Sequence, residues 1–195
     1  MHIIAHRRNL ISELDATPRE HGVEIDIRSY GKELVLHHDP FEPGEKFEEW
    51  LKHYAHGLLI LNVKEEGLET AVLALLKRHS IESFFFLDQS FPFINKVGRG
   101  GERRCAVRVS EYEEPSTALK MAKWIDWVWI DCFTKFPLTR EQAKELKQAN
   151  LKLCLVSPEL QGRTSVAEIS ELTDQVRSFD IEWDAVCTKR ADLWR

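Results

Sequence analysis

The chain holds 195 residues, 43% of them apolar and with ten Phe and six Trp, enough for one sizeable core, so a single domain over residues 1–195 is expected. A formal net charge of −5 and a pI near 5.9 exclude a broad basic surface, and with it nucleic acid or an anionic membrane as principal partner. Met1 to Ala5 run into an apolar strand-like segment without a basic n-region, and no apolar run reaches spanning length, so a cytoplasmic protein without membrane insertion is expected. Cys105, Cys132, Cys154 and Cys187 lie singly in separate apolar segments and read as reduced core residues. Oligomeric state leaves no mark on the sequence.

Short runs rich in Val, Ile, Leu and Phe recur along the chain. They are His2 to Ala5, Gly22 to Ile27 with a continuation Glu33 to Leu36 after a turn at Tyr30-Gly31-Lys32, Leu58 to Val63, and Phe84 to Leu87. Cys105 to Val109, Trp127 to Cys132, Lys152 to Val156 and Ala185 to Cys187 follow. Near-continuous apolarity suits strands covered on both faces, as in a parallel sheet. Between them, Phe47, Trp50, Leu51 and Tyr54 suggest a helix, Leu68, Val72, Leu75 and Leu76 form a helical stripe, and Ala118 to Trp124 suggest another helix. Val166, Ile169, Leu172 and Val176 form a last stripe. Thr139 with Gln142 and Ser165 with Glu168 have the spacing of reciprocal helix caps. Eight strands alternating with helices predict an α/β chain folded as a compact (β/α)8 TIM barrel, with a doubly wound sheet as the alternative. About 250 residues are typical of such barrels, so helices and loops must be trimmed.

Chemistry enters where polar residues interrupt these runs. A barrel carries its active site at the C-terminal strand ends, where His6 and Arg7 close the first run. Glu24 and Asp26 lie two apart in the second run and so share a face. Two carboxylates inside a barrel mouth need compensation, either by a hard cation such as Mg²⁺ or Ca²⁺ or by pairing with Arg28 or Lys32. Asn62 and Lys64 share one parity at the end of the third run, and His37-His38-Asp39 ends the hairpin arm. Two imidazoles, two carboxylates and two cations make the inventory for phosphoryl chemistry. Arg108, on the fifth run, either binds phosphate or pairs with Asp131 or Glu111; Arg163, ahead of the Ser165 helix start, is an accessory phosphate contact. Trp124, Trp127 and Trp129 read as packing residues.

Ala5-His6-Arg7, then Glu24-Ile25-Asp26, then His38-Asp39-Pro40 resembles the HR…ExD…HD pattern of glycerophosphodiester phosphodiesterases, a layout that sphingomyelinase D-like enzymes share. The resemblance continues through Asn62-Val63-Lys64, Ser90-Phe91 and Thr188-Lys189. It implies a barrel of the PLC-like phosphodiesterase type that cleaves a small phosphodiester substrate. The divalent metal, Mg²⁺ or Ca²⁺, would lie on Glu24, Asp26 and Asn62. Arg7 and Lys64 would contact phosphate, and His6 and His38 would exchange acid and base roles. A hydroxyl next to the phosphate would serve as internal nucleophile, leaving a cyclic phosphate for water to open.

The chain departs from that pattern in three places. Arg8 stands where the family has Gly, and no Glu-Asn-Thr segment is recognisable from Asn9 to Leu14. Asn62 replaces a third carboxylate, which implies weaker metal affinity, with Asp88 or Asp131 available to compensate. The short stretch from Pro40 to Gly57 leaves no room for the insertion that covers the substrate elsewhere. Two other functions fit the same residues: a non-catalytic barrel that binds a phosphorylated metabolite, and a metal-independent cyclising lyase like bacterial phosphatidylinositol phospholipase C.

Overall fold

The apolar runs become strands, and eight of them close on themselves. The structure, a computed structural model, describes residues 1–194. Strand β1 (His2–Ala5) is followed by β2 (Gly22–Tyr30), whose distal half folds back through β3 (Glu33–Leu36) and β4 (Glu45–Lys46) as an antiparallel arm. The chain continues through β5 (Leu59–Val63), β6 (Phe84–Leu87), β7 (Ala106–Val109), β8 (Trp127–Ile130), β9 (Lys152–Val156) and β10 (Ala185–Thr188). β1 pairs in parallel with both β2 and β10, β2 with β5 and β5 with β6. β7, β8, β9 and β10 are joined the same way. A single parallel bridge among the described residues, Phe86↔Cys105, joins β6 to β7 and shuts the ring. Closure removes the doubly wound alternative.

Alternation along each strand sorts side chains into two separate cores. Ile4, Ile60, Phe85, Trp127, Trp129 and Cys154 fill the barrel interior, with Phe85 stacked on Trp127 at 4.4 Å. Val23, Ile25, Leu59, Leu61, Val128 and Leu153 point outward to the helices. Trp127 and Trp129 are therefore packing residues, as expected. All four cysteines are buried and free, and burial pushes the Cys105 and Cys132 thiols up to about 12.

The helical layer is trimmed, as the chain length requires. Helices α1 (Ile11–Asp15) and α2 (Phe47–Leu51) span little more than a turn, and α3 (Glu69–Arg78), α4 (Phe91–Arg99), α5 (Pro115–Met121), α6 (Arg140–Gln148) and α7 (Val166–Ser178) complete the layer. After β10, among the described residues, a 3₁₀ turn follows, Ala191–Leu193. α5 begins at Pro115, three residues before the expected start, because proline suits the first helical turn. Thr139 and Gln142 cap α6 reciprocally at 3.2 and 2.9 Å. The cap expected at Ser165 is not made, since Glu168 accepts from Arg163 Nε at 2.9 Å instead. Among the described residues no helix is long and apolar enough to cross a membrane.

Gly22 shows how tightly the lower barrel is packed. A Cβ there would lie 2.3 Å from the Leu58 carbonyl oxygen and 2.4 Å from Ile4 Cδ1, so backbone would have to move to admit a methyl group. Gly22→Ala is expected to destabilise the fold by about 1–3 kcal/mol, read as a lower urea midpoint. An unchanged midpoint would show that β1, β2 and the Leu58 segment are not in this contact.

Candidate active site

The barrel mouth is built where β1, β2 and β5 end. Parity turns Glu24 and Asp26 inward, and each is 1% exposed. Both need compensation in so dry a place, and the surrounding backbone and side chains provide it. Arg7 adopts a left-handed backbone conformation at φ 52°, which directs its amide to donate to Glu24 Oε2 at 2.8 Å. Its guanidinium Nε reaches Asp26 Oδ2 at 3.2 Å. Lys64 Nζ lies 3.2 Å from Asp26 Oδ1 and 3.7 Å from Asp88. Asn62 Nδ2 donates to Glu24 Oε1 at 3.0 Å. The cations on the acidic pair are thus Arg7 and Lys64. Arg28 instead holds the His38 carbonyl at 2.9 and 3.0 Å and faces Glu65, so the expected pairing of Glu24 or Asp26 with Arg28 is not what the fold uses.

Asn9 was not picked out from the sequence. Its Nδ2 donates to Asp26 Oδ2 at 2.9 Å, and its Oδ1 accepts from the Asp26 amide at 2.9 Å. A single buried amide in an irregular loop has no periodicity to betray it. Arg8, at the position where the resemblance expects glycine, sends its amide to the Glu24 carbonyl and takes the Trp50 indole N–H on its own carbonyl.

His6 ends β1 with Nε2 3.7 Å from Glu24 Oε2, while its Nδ1 is buried without a hydrogen-bond partner. Burial, reinforced by Arg7 and Lys189, lowers its pKa to about 3, so the ring is neutral at pH 7. Burial and then Asp26 raise Glu24 to about 7. His38 lies at the rim, exposed, with Nδ1 2.7 Å from Asp39 Oδ1, a hydrogen bond that holds Asp39 below the ordinary carboxylate range. Among the described residues no hydrogen bond or ion pair joins His38 to His6, Glu24 or Asp26.

The charge chain continues across the mouth. Arg108 points inward and is gripped by Asp88 and by Asp131 Oδ2, the latter at 2.6 Å. Asp131 is fully buried and also accepts from the Trp129 indole at 3.1 Å and from Gln161. Both carboxylates that seemed available to a metal from the sequence are therefore engaged with Arg108. Glu111, the other partner considered for Arg108, instead accepts from the amides of Phe133, Thr134 and Lys135. Arg163 stands apart from the cluster, bonded to Glu168 and to the Cys132 carbonyl.

The donors fit a hard cation only through Asn62. Among the described residues no three His, Cys, Asp or Glu side chains form a metal-binding group. Asn62 Oδ1 is a buried oxygen without a hydrogen-bond partner, and Asp26 Oδ1 also makes no hydrogen bond, although the Lys64 ammonium stands 3.2 Å from it. Oxygen ligands of this kind suit Mg²⁺ or Ca²⁺.

No protein-family model matches the chain, and no curated protein matches it. Among solved structures it is similar to a glycerophosphodiester phosphodiesterase from Agrobacterium tumefaciens, with a TM-score of 0.68 and 14% identity over 100% of this chain and 97% of that one. A glycerophosphoryl diester phosphodiesterase from Parabacteroides distasonis gives 0.65 and 13% over 99% of this chain and 84% of that one. A tryptophan synthase α-subunit from Pyrococcus furiosus gives 0.53 and 10% over 95% and 85%. At these identities the likeness establishes the barrel fold.

The raised Glu24 has a measurable consequence. Unfolded glutamate titrates near 4.5, so between that pH and about 7 the folded chain holds a proton that the unfolded chain has released. The contribution of this group is fullest below 4.5 and falls as pH rises to 7. Glu24→Gln, which removes this titration, should gain on the wild type between pH 5 and pH 8 in EDTA by on the order of 2 kcal/mol. Urea unfolding at the two pH values measures this; equal differences at both would place the Glu24 pKa near its ordinary value.

Proposed function

We propose that the chain is a phosphodiesterase that cleaves a small phosphodiester, glycerophosphodiester-like in its charged part, by proton transfer through His6 and His38. The observation that carries this reading is a half-buried imidazole at the strand ends, beside an acidic pair that Arg7 and Lys64 already face. A phosphate entering this mouth meets two cations, and its negative charge offsets the Arg7 and Lys189 repulsion that depresses His6, moving the ring toward the range a general base needs. The similarity to two phosphodiesterase barrels supports the same reading.

In this mechanism Arg7 and Lys64 turn from Asp26 toward the phosphoryl oxygens. His6 takes the proton of the attacking hydroxyl, whether water or a hydroxyl on the substrate itself. His38, oriented by Asp39, gives a proton to the departing oxygen. If the first product is a cyclic phosphate, the two exchange roles when water opens it. Arg108, fixed between Asp88 and Asp131, supplies positive charge on the far side of the mouth; Arg163 would have to leave Glu168 to take part. Glu24, Asp26 and the Asn62 carbonyl oxygen would hold Mg²⁺ or Ca²⁺, which when bound neutralises charge on the phosphate.

A second reading, cyclisation without a metal, draws on the same cations. Lys64 at 3.2 Å from Asp26 Oδ1 occupies ground that a metal would otherwise take. Chelator separates the two: EDTA abolishes turnover in the first and leaves it intact in the second.

His6→Ala and His38→Ala are each expected to lower turnover of phosphodiesters in Mg²⁺ or Ca²⁺ by roughly 10²- to 10⁴-fold, with His37→Ala milder. p-Nitrophenyl esters, whose leaving group needs little acid, should rescue His38→Ala more than His6→Ala. Equal activity of wild type and both variants on every substrate would reject the assignment. Inactivity of wild type throughout, with phosphate binding retained in EDTA, would favour the non-catalytic barrel.

Asn62→Glu is expected to tighten Mg²⁺ or Ca²⁺ binding by restoring a charged oxygen. Calorimetry finding no cation bound to either form would remove the metal from the mechanism.

A further inference from the structure

The barrel wall is most weakly joined on one side. β6 and β7 share the bridge Phe86↔Cys105, and one residue beyond the end of β6 Asp88 takes φ 60°, which carries the chain out of strand conformation. The two strands separate there. A cleft of about 570 Å³ opens at this seam, within the range of pockets that hold small molecules. It is lined both by residues whose side chains face the barrel interior, Leu87 and Ala106, and by residues of the outer layer, Ile94 and Val107. It therefore lies along the β6–β7 seam, with buried residues of both cores at its floor. Phe91, 50% exposed, and Tyr112, 77% exposed, also line it.

Asp88 and Arg108 line the same cleft. Both belong to the charge chain of the active site, since Lys64 faces Asp26 on one side and Asp88 on the other. A substrate whose phosphate lies at Lys64 thus has an apolar cleft beginning one ion pair away. Scattered apolar residues on a surface call for no explanation, but an apolar floor of Leu87, Ile94, Ala106 and Val107 beside a phosphate site does, with Gln89, Glu113 and Glu114 on the polar side of the same cleft.

We propose that this cleft receives an apolar alcohol group of the substrate, an alkyl chain esterified to the phosphate that sits at Arg7 and Lys64. The proposal rests on the phosphodiesterase reading for the position of the phosphate, and it adds the class of ester: amphiphilic, with one apolar arm. Arg108 stays with its carboxylates and forms the polar threshold. The arm passes it and lies along Ile94 and Val107, and the exposed rings of Phe91 and Tyr112 cover its outer end.

Monoalkyl phosphates from methyl to octyl test the cleft by calorimetry, independently of turnover. Affinity should rise about three- to fourfold for each added methylene that the cleft buries, and then level off. Thr117 lines the cleft from α5 and is only partly buried. Thr117→Trp should fill the cleft and flatten the series while leaving methyl phosphate affinity unchanged. Phe91→Ala should lower the affinity for the long chains alone; the unfolding midpoints of both variants check that they fold. A series without slope in the wild type, or a slope that Thr117→Trp leaves intact, would overturn the proposal. Turnover of p-nitrophenyl alkyl phosphodiesters in the same series separates the two claims. A chain-length slope in binding with no turnover of any ester sinks the phosphodiesterase reading and keeps the cleft. Turnover that is indifferent to chain length, with flat binding, sinks the cleft and keeps the phosphodiesterase.

Discussion

Glu24 and Asp26 sit two residues apart on one strand, so the pleat turns both side chains into the barrel, where water cannot reach them. Two adjacent carboxylates in a dry interior repel one another and lose their hydration together. Much of the mouth can be understood as the answer to that problem. The Arg7 amide, the Asn62 amide group and the Asn9 side chain supply hydrogen bonds, and Arg7 and Lys64 supply charge. The remaining strain is absorbed by protonation, since Glu24 titrates near neutrality. The left-handed backbone at Arg7 belongs to the same solution, because only that bend aims the amide at Glu24.

That arrangement also explains why His6 is neutral. The ring is desolvated and sees Arg7, Lys64 and Lys189, whose repulsion outweighs the attraction of Asp26. So low a pKa leaves a ring nitrogen free at pH 7 but makes it a weak proton acceptor, whose basicity would rise only when an anion offsets those cations. His38 is the opposite case: exposed, paired with Asp39, and held at the rim by Arg28 through its backbone carbonyl. The two imidazoles thus differ in environment, one largely desolvated among cations and one exposed beside a carboxylate.

The architecture was largely legible in the chain, because strands buried on both faces must be apolar almost throughout, and every one of the eight runs became a barrel strand. The inward parity of Glu24, Asp26, Asn62 and Lys64 was legible for the same reason: alternation follows from geometry once the strand is known. Ion-pair partners were less so. Arg28 shares the parity of Glu24 and Asp26 and so looked like a natural partner, yet its guanidinium is taken up by the His38 carbonyl and Glu65, and Lys64 arrives instead from a strand distant in sequence. Asn9 and the Arg7 bend left no trace, since loop conformation depends on what the loop packs against. Ser165 had the spacing of a cap, but Arg163 competes for Glu168 and wins with a charged donor.

The ring has two unequal joints between its halves. β1, β2, β5 and β6 come from the first half of the chain and β7 to β10 from the second, and within each half the ladders are continuous. The halves meet along a ladder from His2↔Ala185 to Ala5↔Thr188 and, on the other side, among the described residues, at the single bridge Phe86↔Cys105. The stronger joint links the first strand to the last, the most distant pairing in the chain. Among the described residues, every group that compensates Glu24 and Asp26 lies in the first half of the chain, from Arg7 to Lys64, whereas the barrel that surrounds them is completed by β10 from the second. Charge compensation is therefore local in sequence, and the desolvation that makes it necessary is not.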